Sequence, residues 1–187
     1  MALMSSLLLL MIITIIALSM FRGFATQEHV AGNLREKERA LHAAEAAQQF
    51  AEWWLDQSNA APGGGIACAG SLSANTAPPQ GQICNQTPQA AGMPLLTVFP
   101  WPTQVTYLSP GMSATAGVNG VNGDPPYALT PGFYITDLGP AGDGQGEAYQ
   151  IDAYGTGSTA INAASTTVAV VESTYELQQG VVNRGGL

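Results

Sequence analysis

From Met1 to Phe21 the chain has neither a charged residue nor a proline, and no other feature restricts its possible folds as much. At about 1.5 Å per residue, a helix of this length reaches roughly 30 Å, the thickness of a bilayer hydrocarbon core. The run therefore reads as a membrane-spanning helix. A cleaved secretory signal would place a basic region before a shorter apolar core and end at a small-residue site. Nothing basic precedes this run and it is too long for such a core, so a cleaved secretory signal is not expected. The missing basic flank also leads to the expectation that Met1 is the first residue left after removal of a short leader.

The residues that follow do not end the helix. Helix-compatible residues continue to about Gln57, interrupted by Gly23 and Gly32, each of which costs about 1 kcal/mol relative to alanine in a helix interior. Ala40, Ala43, Ala47, Phe50 and Trp54 recur at a 3-4-3-4 spacing, which places them on one helix face. Small residues come first and aromatics last, so this face is suited to close approach in its middle and anchoring at its C-terminal end. Residues Arg35 to Arg39 form a charged stem, read either as a solvated face or as a set of partners for charges on neighbouring helices.

Charge separates the chain into parts. Thirteen acidic residues oppose five Lys and Arg, for a net charge of -8. Arg22, Arg35, Lys37 and Arg39 lie in the helical part, Arg184 lies near the end, and no Lys or Arg falls between Arg39 and Arg184. The body after the helix thus offers no cationic surface for a phosphate backbone, and nucleic acid is excluded as its partner.

The organisation read from these features is residues 1–24 as a transmembrane half-helix, 25–57 as its amphipathic continuation, and 58–187 as a globular domain. Residues 58–94 have turn and loop composition (APGGGIACAG, NTAPPQGQIC, QTPQAAGMP) and read as a long connector. Cys68 and Cys84, the only cysteines, both lie in it. If paired they close a short loop, for which chain entropy gives roughly 3 kcal/mol. A disulfide between them fits an extracytoplasmic compartment, with two free buried thiols as the alternative.

Residues of about 103–177 read as strands. Segments 104–108, 132–137, 147–154 and 166–177 are rich in β-branched and aromatic residues and are separated by Pro, Gly, Asp and Asn. Tyr149, Ile151 and Ala153 alternate with Ala148, Gln150 and Asp152, which predicts one buried and one wet face. An antiparallel sheet of about four strands needs a cover, and the helix from Ala40 to Trp54 is the amphipathic element long enough to provide it. The fold class is α+β.

The segment QEHVAGNLREKERALHAAEAA, Gln27 to Ala47, following an uncharged apolar run, resembles the helix of type IV pilins and in particular that of the PilX-like minor pilins. AYQIDAYGTGS and VVESTYEL are similar to the family's aromatic strand, glycine break and final strand. The resemblance implies the pilin fold, a long N-terminal helix packed on an antiparallel sheet. It also implies removal of a leader by a prepilin peptidase and methylation of the amine of Met1. Counting back from Ala31-Gly32-Asn33-Leu34, Ser5 occupies the position where major pilins carry a glutamate thought to pair with a neighbour's N-terminal amine. A subunit without that carboxylate suits the filament tip.

The implied function is that of a minor pilin that helps prime assembly at or near the tip. Its partners would be other minor pilins, the major pilin and a large tip adhesin. The implied location is the inner membrane, with the globular domain in the periplasm, and then the extracellular pilus. A type II secretion minor pseudopilin is the alternative, although tip pseudopilins usually carry a large additional helical domain. Enzymatic chemistry is not expected, and neither is a cofactor: both histidines, His29 and His42, lie on the helix, and no nucleophile-base set or metal-ligand spacing occurs. Asp137, Asp143 and Glu147 flank a glycine-rich hairpin with the composition of a calcium loop, but the pattern is not that of an EF-hand and a solvated turn is the simpler reading.

Overall fold

The computed structural model describes residues 2–59, 64–93, 96, 98–115, 117–142, 144, 146–158 and 167–178. The chain divides into two compact units, Met1–Glu36 and Lys37–Leu187. Helix α1 (Ala2–Trp54) contributes to both and ends in a π-helical turn, Leu55–Asn59. Neither Gly23 nor Gly32 interrupts it, since a cost of about 1 kcal/mol at each is tolerated in so long a helix.

The second unit contains six strands: β1 (Ser71–Ser73), β2 (Ile83–Cys84), β3 (Gln104–Thr106), β4 (Gly132–Pro140), β5 (Gly146–Thr156) and β6 (Val168–Gln178). They form one sheet in the order β1-β3-β4-β5-β6, with β2 also paired to β4. The pairs β3–β4, β4–β5 and β5–β6 are antiparallel, and their register sets Ile135 opposite Ile151 and Tyr149 opposite Tyr175. A bulge between Asp137 and Gly139 bends β4 near the hairpin; Gly139 takes φ 84° there, a conformation that glycine adopts without steric cost.

The four antiparallel strands and the covering helix agree with the α+β expectation, but the sheet as a whole is mixed. The connector, read above as loop, contributes β1 and β2, which pair parallel with β3 and β4. The side-chain amide of Asn75 continues the β1–β3 pairing: its Oδ1 accepts from Leu108 N (2.8 Å) and its Nδ2 donates to the Leu108 carbonyl (2.7 Å).

The expectation of one wet face is also corrected. On the helix side, Val105, Phe133, Ile135, Tyr149, Ile151 and Ala153 pack with Ala47, Ala51, Trp54 and Leu55. On the opposite side, Tyr134 and Tyr154 pack with Cys84, Met93 and Trp101. The second layer comes from Cys84 and Met93 of the connector and from Leu96, Phe99 and Trp101 beyond it. Tyr154 makes ring contacts with Phe99 (4.7 Å) and Trp101 (4.8 Å), and the Trp101 indole N–H donates to the Leu96 carbonyl at 3.1 Å. Buried aromatics of this kind each contribute on the order of 1.5–3 kcal/mol relative to exposure, so a stretch poor in regular structure still carries a core.

Candidate functional site

The long helix meets the sheet through a narrow seam. Ala40, Ala43 and Ala47 are fully buried, Trp54 is buried and Phe50 is half-buried against the same cluster. Ala44, Ala51 and Leu55 are fully buried too, which widens the 3-4-3-4 stripe on the side where α1 crosses β5. That crossing explains the glycine after Tyr154. A Cβ at Gly155 would stand 2.3 Å from the Ala40 carbonyl oxygen and 2.4 Å from the Ala44 amide nitrogen. Strand β5 therefore runs through Gly155 to Thr156 rather than breaking there. A second glycine cradle receives the far end of the seam: a Cβ at Gly81 would stand 2.6 Å from the Trp54 ring.

In the unit Met1–Glu36 the apolar side chains are exposed instead. From Leu3 to Leu34 the large hydrophobic residues are 49–81% accessible. Three hydroxyls among them bond within the helix: Ser6 donates to the Leu3 carbonyl (3.0 Å), Thr14 to Met11 (2.8 Å) and Thr26 to Gly23 (2.8 Å). With those polar groups paired locally, the segment is suited to a surrounding of lipid tails or apolar helices. By length and composition it is able to cross a membrane. Ser5 lies within α1, and Met1 lies outside the described residues.

Cys68 and Cys84 form a disulfide, with Cα atoms 5.3 Å apart. The bond closes a loop that contains β1 and ends on β2, so both sides of the bridge are tied to the sheet. Asp137 adds a clasp between connector and hairpin: its Oδ2 accepts from Gly65 N and its Oδ1 from Gly139 N, each at 2.8 Å. Asp137 is thereby occupied by backbone donors. Glu147 opposes Pro140 at the start of β5, and Asp143 lies outside the described residues. Among the described residues no group of three His, Cys, Asp or Glu gathers in a way that would hold a metal ion.

Two other buried polar groups are set by their surroundings. Asp152, fully buried on β5, is pushed up to about 6 by burial, with the Gln150 amide (3.1 Å) pulling it down and Glu172 pushing it further up. Burial also pushes the Tyr154 hydroxyl up to about 12, against the opposing effect of its 2.7 Å bond to Gln104 Oε1. His42, whose Nδ1 lies 3.2 Å from Glu45 on the exposed side of α1, is remote in sequence from both and shares no hydrogen bond with them.

Arg39 takes a role that the charged-stem reading did not anticipate. Its guanidinium lies 4.2 Å from the centre of the Tyr127 ring, and Nη2 donates to the Pro125 carbonyl. The side chain pins the 109–127 loop to α1.

Residues 1–48 match the family model described as PilX N-terminal, which supports a PilX-like type IV pilin. No curated protein matches the chain. No solved structure matches it either.

Proposed function

We propose that the chain is a minor pilin of a type IV pilus that helps to prime filament assembly and takes a place at or near the tip. The observation that carries this reading is the match of residues 1–48 to the PilX N-terminal family, over a helix whose large apolar side chains are exposed from Leu3 to Leu34. Before assembly those side chains are covered by lipid; in the filament they are covered by the apolar helices of other subunits. The chemistry is association, with no bond made or broken.

Ser5 supports the tip position. A carboxylate in an apolar bundle is costly unless paired, and a subunit with serine there makes no such demand and offers no such contact. Its neighbours in this reading are other minor pilins, the major pilin and a large tip adhesin.

Immunogold labelling of sheared filaments with an antibody to the acidic domain tests the reading. Label at one end of each filament is expected. Label scattered along the shaft would replace the tip role with internal incorporation. Protein retained in the membrane fraction, with no filament labelled, would overturn the pilus reading in favour of a secretion pseudopilin or a simple anchored domain.

A further inference from the structure

Strand β6 ends the sheet and, among the described residues, pairs with β5 alone. It runs for eleven residues without a proline, a glycine, a lysine or an arginine, so it lacks the chain breaks and positive charges that usually blunt an edge strand. Val171, Tyr175 and Leu177 face the helix side and pack against its core. The charges of the strand, Glu172 and Glu176, are exposed on the opposite face. Carboxylates also meet β6 from α1: Ser173 Oγ lies 3.5 Å from Glu52, and the Tyr175 hydroxyl bonds to Asp56. Both bonds use hydroxyl donors, so neither brings a cation to the strand, and no Lys or Arg falls between Arg39 and Arg184.

The register sets Asp152 of β5 directly opposite Glu172 of β6. Opposed residues of an antiparallel pair share a face with their Cβ atoms about 5 Å apart, where like charges repel. The two members differ in surroundings: Asp152 is fully buried and Glu172 is exposed. On β4, Tyr134 stands opposite Asp152 from the other side, but its hydroxyl donates to the Gln86 carbonyl at 2.9 Å. Tyr154, next along this face of β5, bonds to Gln104 and to the Thr130 carbonyl. Over the two tyrosines lie Met93, Trp101 and the disulfide-bonded Cys84, none of them ionisable. The donor that reaches Asp152 is the neutral Gln150 amide, at 3.1 Å. A buried carboxylate with a neutral donor and a like charge opposite is costly to ionise, whereas its protonated form is not.

We propose that Asp152 and Glu172 form a proton latch on the edge strand: a proton held at this pair keeps β6 seated on β5, and its loss lets β6 open as a local unit while β3, β4 and β5 stay paired. Opening separates the two carboxylates and brings water to Asp152, so the ionised pair favours the open strand and the protonated pair the closed one. Burial, with Glu172 adding to it against the Gln150 bond, raises Asp152 to about 6 in the closed state. Closure is therefore favoured fully below the ordinary carboxylate range and weakens as pH rises through that value. The latch does not depend on the minor-pilin reading above.

The test is amide hydrogen exchange of the full-length protein in detergent, with each rate divided by the intrinsic rate of that amide at the same pH. Between about pH 5 and about pH 7 the opening of β6 should rise about tenfold, with β4 unchanged. Asp152→Asn should abolish the rise and keep β6 closed at both values. Glu172→Gln, at an exposed position, should reduce the rise and lower the titration midpoint of the Asp152 carboxyl followed by carbon NMR. If Asp152→Asn does not fold, Glu172→Gln decides. Exchange of β6 indifferent to pH, a rise of equal size in β4, or a rise and a midpoint unaltered by the deciding variant would overturn the latch.

Discussion

The two parts of α1 use apolar residues in opposite ways. From Leu3 to Leu34 the large apolar side chains are exposed, Leu, Ile, Met and Phe on every side of the helix. From Lys37 onward the buried positions are mostly alanine, closed by Trp54 and Leu55. The difference teaches that side-chain size, more than hydrophobicity, tells where a helix finds its partner. Large residues all round give no preferred face and suit a fluid or multi-helix surrounding. A stripe of alanines buries little area by itself, and gains its stability from letting a backbone come close.

This contrast would break if the same glycine-to-alanine change had the same sign in both parts. Gly155→Ala forces a Cβ into the Ala40 and Ala44 backbone and should destabilise the globular unit by more than about 3 kcal/mol, read by denaturant unfolding of the detergent-solubilised protein. Next in size, Cys68→Ser opens the loop that ties β1 and β2 together and should cost about 2–3 kcal/mol. Reductant should reproduce that loss in the wild type and leave the variant unaffected; an equal effect on both would separate the disulfide from the fold's stability.

Asp152 sharpens the contrast by isolating a group buried in the globular unit. Its folded-state value of about 6 lies above the ordinary 3.8, so the folded chain holds this proton to higher pH than the unfolded chain does. The contribution to stability is full below about pH 4 and is lost as pH rises through about 6. Asp152→Asn should remove that slope and raise stability at pH 7 by about 2 kcal/mol. A variant with an unchanged pH profile would assign the slope to other carboxylates. The smallest effect is expected in the exposed part: at Gly32 a Cβ meets nothing within 4 Å, so Gly32→Ala should favour the helix by about 1 kcal/mol, visible as reduced amide exchange around residue 32.

The long elements were legible because their signals are periodic. Tyr149, Ile151 and Ala153 declare the inward face of β5 by alternation, and the alanine spacing from Ala40 declares the inward face of α1. The connector strands were not legible for a physical reason: two or three residues are too short to show a period, and β2 finds its partner Ile135 about fifty positions away. Trp101 and Met93, isolated among Pro and Gly, gave no sign of covering the second face of the sheet. Gly155 was visible as a glycine, yet its reason lies in the helix crossing above it. Arg39 was visible as a charge, and its role as a clamp exists only once the loop has folded beside it.

The crossing at Gly155 also has a mechanical consequence. If α1 slid along its axis by one turn, about 5.4 Å, Gln48 would arrive where Ala44 now sits in one direction and Arg39 where Ala43 now sits in the other, beside the close approach at Gly155. The contact acts as a detent, blocking axial travel by volume alone and independently of salt or pH. A pull along the helix axis therefore meets a steric stop where α1 crosses β5.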